Sequence, residues 1–187
     1  LADWLKEEKI VGIYDIDTRE LTKLLREHGS MKGKIVFEDG EDIDFVDPNL
    51  TNLVAKVSCK EVIRYGNGNK KVVLVDCGVK YNIIRCLLKR DVTVIRVPWN
   101  YDFNTIEYDG LFISNGPGDP DMCDVTVEHI RKAMNGTKPI FGICMGNQLL
   151  SKAGGARTYK LKYGHRSHNQ PVRQVGTNRC FITSHNN

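Results

Sequence analysis

Four short apolar runs, rich in β-branched residues, follow one another after residue 70: 72–75 (VVLV), 92–97 (VTVIRV), 111–114 (LFIS) and 140–143 (IFGI). A strand with one wet face alternates apolar and polar residues, whereas a strand covered on both faces reads as a nearly continuous apolar run. Between the runs, residues 83–88 and 125–134 carry helical spacing. Strand, helix and strand in succession predict an α/β unit, a mainly parallel sheet with helices on both faces. In such sheets ligands gather at the carboxyl ends of the strands.

Upstream of these runs the pattern differs. Asp17 with Glu20 three residues on marks a helix start, Leu21, Leu24 and Leu25 form the face expected to be buried, and Gly29 marks the stop. Residues 35–37 and 53–57 are expected as short strands separated by Asp47-Pro48, and the polar stretch 65–69 (YGNGN) as a linker. The chain is therefore expected to divide near residue 68, into 1–68 and 69–187.

With 41% apolar and 27% charged residues in 187, the chain has material for a real core. No apolar run approaches the ~20 residues that cross a bilayer. The start, LADWLKEEKI, lacks the charged, apolar, small-residue order of a signal peptide. The net charge is +4, and the acidic stretch 38–47 offsets the basic stretch 157–168, which argues against a nucleic-acid footprint. Six scattered cysteines form no CxxC pair and no Cys/His zinc spacing, so no metal is expected. Several lie within apolar segments, where a reduced thiol behaves as a small hydrophobe, and a reducing compartment is the simpler expectation.

Two motifs at strand ends carry chemistry. In Phe141-Gly142-Ile143-Cys144-Met145-Gly146-Asn147-Gln148 a strand runs into glycine, any residue, cysteine, any residue, glycine, and then a helix. This is the layout of a nucleophile elbow with Cys in the place of Ser. The glycines let the chain turn sharply so that the cysteine projects from the sheet, and the helix presents unpaired N–H groups and the positive end of its dipole. Taken by spacing alone, a buried structural cysteine on a strand-to-helix turn stays open as the alternative. The second motif, Ser114-Asn115-Gly116-Pro117-Gly118-Asp119-Pro120, directly follows a strand. Alone it is an ordinary rigid turn; beside the elbow it reads as the second half of an oxyanion pocket for acyl transfer.

GICMGNQ resembles the nucleophile motif of class I glutamine amidotransferases, and SNGPGDP the oxyanion loop of that family. VDCGVKYNIIRCLLKR, VPWNYDF, ARTYKLKYGHRSHNQPV and RCFITSHNN resemble its carbamoyl-phosphate synthetase branch, and IYDIDTRELTKLLREHGSMKGKI the end of the extra N-terminal domain of that branch. The resemblance implies a class I amidotransferase-like α/β fold over 69–187, preceded by part of a smaller α+β domain over 1–68. It implies that Cys144 attacks the side-chain amide of L-glutamine, that the amides of Gly116, Gly118 and Met145 hold the oxyanion, and that Gln148 and Asn186 grip glutamine.

Asn147 stands where many members of the family have His, and Asn187 and His185 stand where His and Gln, respectively, are common. The base and its orienting carboxylate belong in this family to a downstream His-Pro-Glu motif, which the sequence does not contain. The chain is accordingly expected to be a fragment, with little turnover by itself and with His165, His168 and His185 outside the catalytic set. Cys144 is expected to be the most readily alkylated thiol. No cofactor is expected in this domain. ATP, magnesium and bicarbonate are expected on a synthetase large subunit or fused synthetase domain, with no nucleic-acid or membrane partner and a cytoplasmic location, or alternatively the mitochondrial matrix. Three alternatives stay open: a non-catalytic amidotransferase-like scaffold in an ammonia-using synthetase, another class I amidotransferase, and a related cysteine hydrolase.

Overall fold

In a computed structural model that describes residues 1–37 and 40–186, the four apolar runs become four parallel strands of one sheet. They are β2 (Lys70–Asp76), β3 (Val92–Pro98), β4 (Gly110–Ile113) and β5 (Ile140–Gly142), and β1 (Ile63–Tyr65) adds an antiparallel edge. The order is β1-β3-β2-β4-β5. Val73 sits opposite Ile95 on one side and Leu111 on the other, and Leu111 opposite Ile140.

The period of two along each strand sorts the side chains onto two faces. Val73, Val75, Ile95, Val97, Leu111 and Ile113 point into a core closed by Val54, Phe103, Val127, Ile130, Met145 and Leu149. Those last residues bring in α3 (Leu53–Val57), α5 (Asp124–Ala133) and α6 (Met145–Ala153). Leu74 and Val94 point the other way, onto Ile84 of α4 (Tyr81–Leu88), with Tyr65 and Phe112 packed around them. The fold is α/β with helices on both faces of a mainly parallel sheet. A hairpin of β6 (Arg166–Arg173) and β7 (Cys180–Asn186) forms a separate two-stranded sheet.

The chain divides into two compact units, Leu1–Phe45 with Leu161–Tyr163, and Val46–Lys160 with the chain from Gly164 onward. The division falls upstream of residue 68, because the segment from Asn52 to Gly68 is tied to the sheet and its neighbouring loops. Val54 is buried there, Asn52 Nδ2 donates to the Met122 carbonyl at 2.8 Å, and the Trp99 amide donates to Ser58 Oγ at 2.9 Å. Residues 53–57 are helix rather than strand: Asn52 caps the turn by accepting from the Ala55 amide at 2.9 Å, the job for which Asn is favoured at this position. Residues 65–69 are no free linker either. Tyr65 belongs to β1, and the Gly68 carbonyl accepts from Thr93 Oγ1 at 2.7 Å.

In the first unit, α1 (Ala2–Glu7) precedes α2 (Thr18–His28). Asp17 accepts from the Glu20 amide at 2.9 Å, and Gly29 ends the helix at φ 86°. The segment 161–163 belongs to this unit: Lys162 Nζ donates to the Glu27 carbonyl at 2.8 Å, and Tyr163 Oη donates to the Arg26 carbonyl. Leu21, Leu24 and Leu25 are 48%, 39% and 40% exposed, so the face expected to be buried lies open among the described residues. Residues 35–37 take part in no strand ladder among the described residues. The acidic stretch read at 38–47 begins outside the described residues.

Candidate active site

β4 and β5 lie side by side and parallel, with Ile113 opposite Gly142, so the two motifs leave the sheet at neighbouring strand ends. After β5 the chain reverses into α6 through Cys144, which sits at φ 53°, ψ −111°. A side-chain-bearing residue at such a φ costs about 1–3 kcal/mol and persists only when its surroundings enforce it. The enforcement is visible on both sides. A Cβ at Gly142 would lie 2.5 Å from the backbone of Gly146, and a Cβ at Gly146 would lie 2.2 Å from the Ile113 carbonyl. The glycines of the GxCxG spacing are thus demanded by contact, as the sequence implied. The Gly146 amide donates to the Ser114 carbonyl at 3.0 Å, and the Ile143 amide to the Ile113 carbonyl at 3.1 Å.

α6 presents Met145, Leu149 and Ala153, four residues apart, to the core. Burying the Met145 side chain fixes its backbone at the first helical position, where the N–H has no intrahelical acceptor. Gln148 is half-buried one turn on, its amide donating to the Cys144 carbonyl at 3.0 Å. Its side chain makes no hydrogen bond among the described residues.

The partner loop is held along its length. Ser114 is fully buried, its Oγ accepting from the Cys77 amide at 2.9 Å and donating to the Asn115 carbonyl at 2.8 Å. Gly116 lies against the next turn of chain, where a Cβ would meet the Cys77 carbonyl at 2.0 Å. Gly118, at φ 87°, faces Leu53. Beyond it Asp119 caps a single helical turn, Pro120–Met122, and Lys152 from the end of α6 bonds Asp121 and reaches Asp124 at 3.4 Å.

Asn186 reaches the nucleophile through its backbone: its carbonyl accepts from Cys144 Sγ at 3.6 Å, and Asn186 pairs with Arg166 across the hairpin. No histidine is hydrogen-bonded to Cys144 Sγ among the described residues. His185 Nε2 lies 2.8 Å from Thr183 Oγ1, its ring is 5.8 Å from that of His165, and His168 Nδ1 is 3.4 Å from Ser184 Oγ. Asn187, noted as a departure from the family pattern, lies outside the described residues.

The elbow leaves Cys144 half-buried, while Cys86 and Cys180 are the exposed thiols, so exposure does not single out Cys144 for alkylation. Burial pushes the Cys59 and Cys123 thiols up to about 11 and raises the fully buried Cys77 thiol as well.

One cluster escaped the sequence reasoning. Asp76, fully buried at the end of β2, accepts five hydrogen bonds: from the amides of Gly78 (2.9 Å), Val79 (2.8 Å) and Cys59 (2.7 Å), and from Arg96 Nε (2.9 Å) and Nη2 (2.6 Å). Burial pushes this carboxyl up, but the three amides and the guanidinium outweigh it and hold it below the usual carboxylate range. Two signals were available. One is an Asp followed two residues on by Gly at a strand end, a turn-forming pattern; the other is an arginine inside an apolar strand, which demands a buried partner.

The profile of the family "Glutamine amidotransferase class-I" matches residues 73–187. The chain belongs to the class I glutamine amidotransferases. The profile "Carbamoyl-phosphate synthase small chain, CPSase domain" matches residues 1–35. Among individual relatives, the chain is similar to "Carbamoyl-phosphate synthase [ammonia], mitochondrial" of Homo sapiens, 49% identical over 100% of this chain and 12% of that protein. It is 52% identical, over 97% of its length, to 8% of the "Multifunctional protein CAD" of Squalus acanthias. To the "Carbamoyl phosphate synthase arginine-specific small chain" of Saccharomyces cerevisiae it is 45% identical over 100% of its length, spanning 48% of that protein. No helix among the described residues is long and apolar enough to cross a membrane.

Proposed function

We propose that this chain carries the glutamine-hydrolysing site of a carbamoyl-phosphate synthase, with Cys144 as nucleophile. The observation that carries the proposal is the positive-φ cysteine between two sterically obligatory glycines, hydrogen-bonded against the Ser114 loop at the neighbouring strand end. In this scheme Cys144 Sγ attacks the side-chain carbonyl carbon of L-glutamine. The carbonyl oxygen becomes an oxyanion, which takes hydrogen bonds from the amides of Met145 and of the loop at Gly116 and Gly118. One such donor is worth about 2.7–4 kcal/mol when it meets the developing charge. The thiol proton passes to the leaving nitrogen, the C–N bond breaks, and ammonia departs. Water then cleaves the γ-glutamyl thioester to give glutamate and the free thiol. The unbonded side-chain amide of Gln148, half-buried one turn from Cys144, is available to hold glutamine, as is Asn186 at the end of β7.

The base that moves the proton and the carboxylate that orients it are assigned to a His-Pro-Glu motif outside this sequence. The chain alone is therefore proposed to turn glutamine over slowly, since a general base contributes ~10²–10⁴-fold. Ammonia is passed to an ATP-using synthetase subunit or fused domain, which supplies the ATP, magnesium and bicarbonate chemistry. The cytoplasm is the proposed location, with the mitochondrial matrix as the alternative.

The test uses the whole protein with its synthetase part and compares carbamoyl phosphate formation from glutamine with that from ammonium salts. Cys144→Ser is expected to abolish the first and spare the second. Glutamine-dependent synthesis that survives the substitution overturns the assignment.

A further inference from the structure

Two glycines and a proline in sequence leave the Gly116–Gly118 loop with few side-chain atoms by which it can be held. Its side-chain anchors to the turn after β2 are Ser114 Oγ, which accepts from the Cys77 amide, and the Asn115 carboxamide. Asn115, half-buried at the start of the loop, accepts from the Lys80 amide through Oδ1 at 3.2 Å and donates through Nδ2 to the Gly78 carbonyl at 3.2 Å. Both partners belong to the turn after β2, and that turn is itself rigid. The Asp76 carboxylate takes the amides of Gly78 and Val79, and the Arg96 guanidinium holds the carboxylate from β3. Gly78 stands at φ 117°, and a Cβ there would meet Pro117 Cδ at 2.9 Å, so the turn also fits the ring of the loop proline.

We infer that Asn115 is a positioning residue for glutamine hydrolysis, its carboxamide clamping the loop that carries the Gly116 and Gly118 amides onto the Asp76-anchored turn. It touches neither glutamine nor the thiol. Its effect is to set where the oxyanion donors stand relative to Cys144, a matter in which a displacement of about 1 Å can cost ~10²-fold in rate. The side chain must both donate and accept. Aspartate keeps the acceptor for Lys80 and loses the donor for Gly78; leucine, of similar size, keeps neither.

The inference rests on the glutaminase assignment, and the experiment separates the two. In the whole enzyme, Asn115→Leu and Asn115→Asp are compared with wild type and Cys144→Ser for glutamine kcat and KM, for ammonia-dependent synthesis and for the rate of Cys144 alkylation by iodoacetamide. Alkylation needs the thiol but no oxyanion donors. Asn115→Leu is expected to lower kcat ~10–100-fold with KM within about threefold, to leave ammonia-dependent synthesis and Cys144 alkylation at wild-type rates, and to be partly rescued in Asn115→Asp. Wild-type kcat in Asn115→Leu, with Cys144→Ser inactive, overturns the clamp alone. A fall in alkylation matching the fall in kcat overturns it too, by showing that the elbow itself was disturbed. Full glutamine turnover in Cys144→Ser overturns the glutaminase assignment instead.

Discussion

Replacing Gly116 by alanine tests the contact on which the loop geometry depends. A Cβ there would sit 2.0 Å from the Cys77 carbonyl oxygen and 2.8 Å from its carbon, whereas real Cβ contacts do not fall below about 3.0 Å. The opposing atoms are backbone, in a turn already held by the Asp76 carboxylate and by Ser114, so no side chain can swing aside. One of the two segments has to retreat by about 1 Å. The strain of inserting a methyl into a packed site is about 1–3 kcal/mol, and the upper half of that range applies when backbone must move. Catalysis is expected to fall further than stability: displacing a loop donor from the oxyanion position costs ~10²–10³-fold in kcat. The assays are thermal denaturation and glutamine-dependent carbamoyl phosphate synthesis by the whole enzyme, with ammonia-dependent synthesis as the internal control. Retention of kcat within about threefold, with a destabilised protein, would refute the assignment of this loop to the oxyanion.

Timed alkylation with mass-spectrometric mapping is expected to label Cys86 and Cys180 first, Cys144 later, and the buried Cys77 and Cys123 only on unfolding; Cys59, held at about 11 by burial and by Asp76, should lag behind Cys144 at neutral pH. Asp76→Asn leaves Arg96 buried without its counter-charge and is expected to cost about 3–5 kcal/mol. Because the folded carboxyl titrates below its ordinary value of about 4, its stabilisation is present above that pH and lost as pH falls through the lower folded value. The gap in Tm between wild type and Asp76→Asn should therefore be level from pH 7 to 5 and narrow in stronger acid, and a gap unchanged down to about pH 2 would count against it.

The sheet was legible because its strands are covered on both faces and so read as unbroken apolar runs; β2 to β5 and α4 to α6 fall where those runs and the helical spacing put them. The elbow was legible for a harder reason, since only glycine fits at 142 and 146. Residues 53–57 were misread because five apolar-rich residues carry no usable period, and the deciding signal was the Asn52 cap. The β6–β7 hairpin was missed altogether: Arg166–Arg173 is polar and contains Pro171, which hides a strand from any apolar pattern. The anchors beneath the loop were hidden for the opposite reason. Asp76 meets Arg96 across 20 residues of chain, and Asn115 meets Lys80 and Gly78 across 35 and 37, and such partnerships are set by strand order, which no local spacing records.

The return of residues 161–163 to the unit formed by Leu1–Phe45 makes the chain's order of travel first unit, second, first and second again. A unit built this way cannot be lifted out by one cut. Excision of everything before residue 46 would strip Lys162 and Tyr163 of the Glu27 and Arg26 carbonyls that receive them, and would leave a stitch with no cloth beneath it midway between α6 and the hairpin. Trimming, splicing or transplanting the amidotransferase portion therefore carries two seams, one at residue 45 and the other around 161–163, and both have to be resewn together.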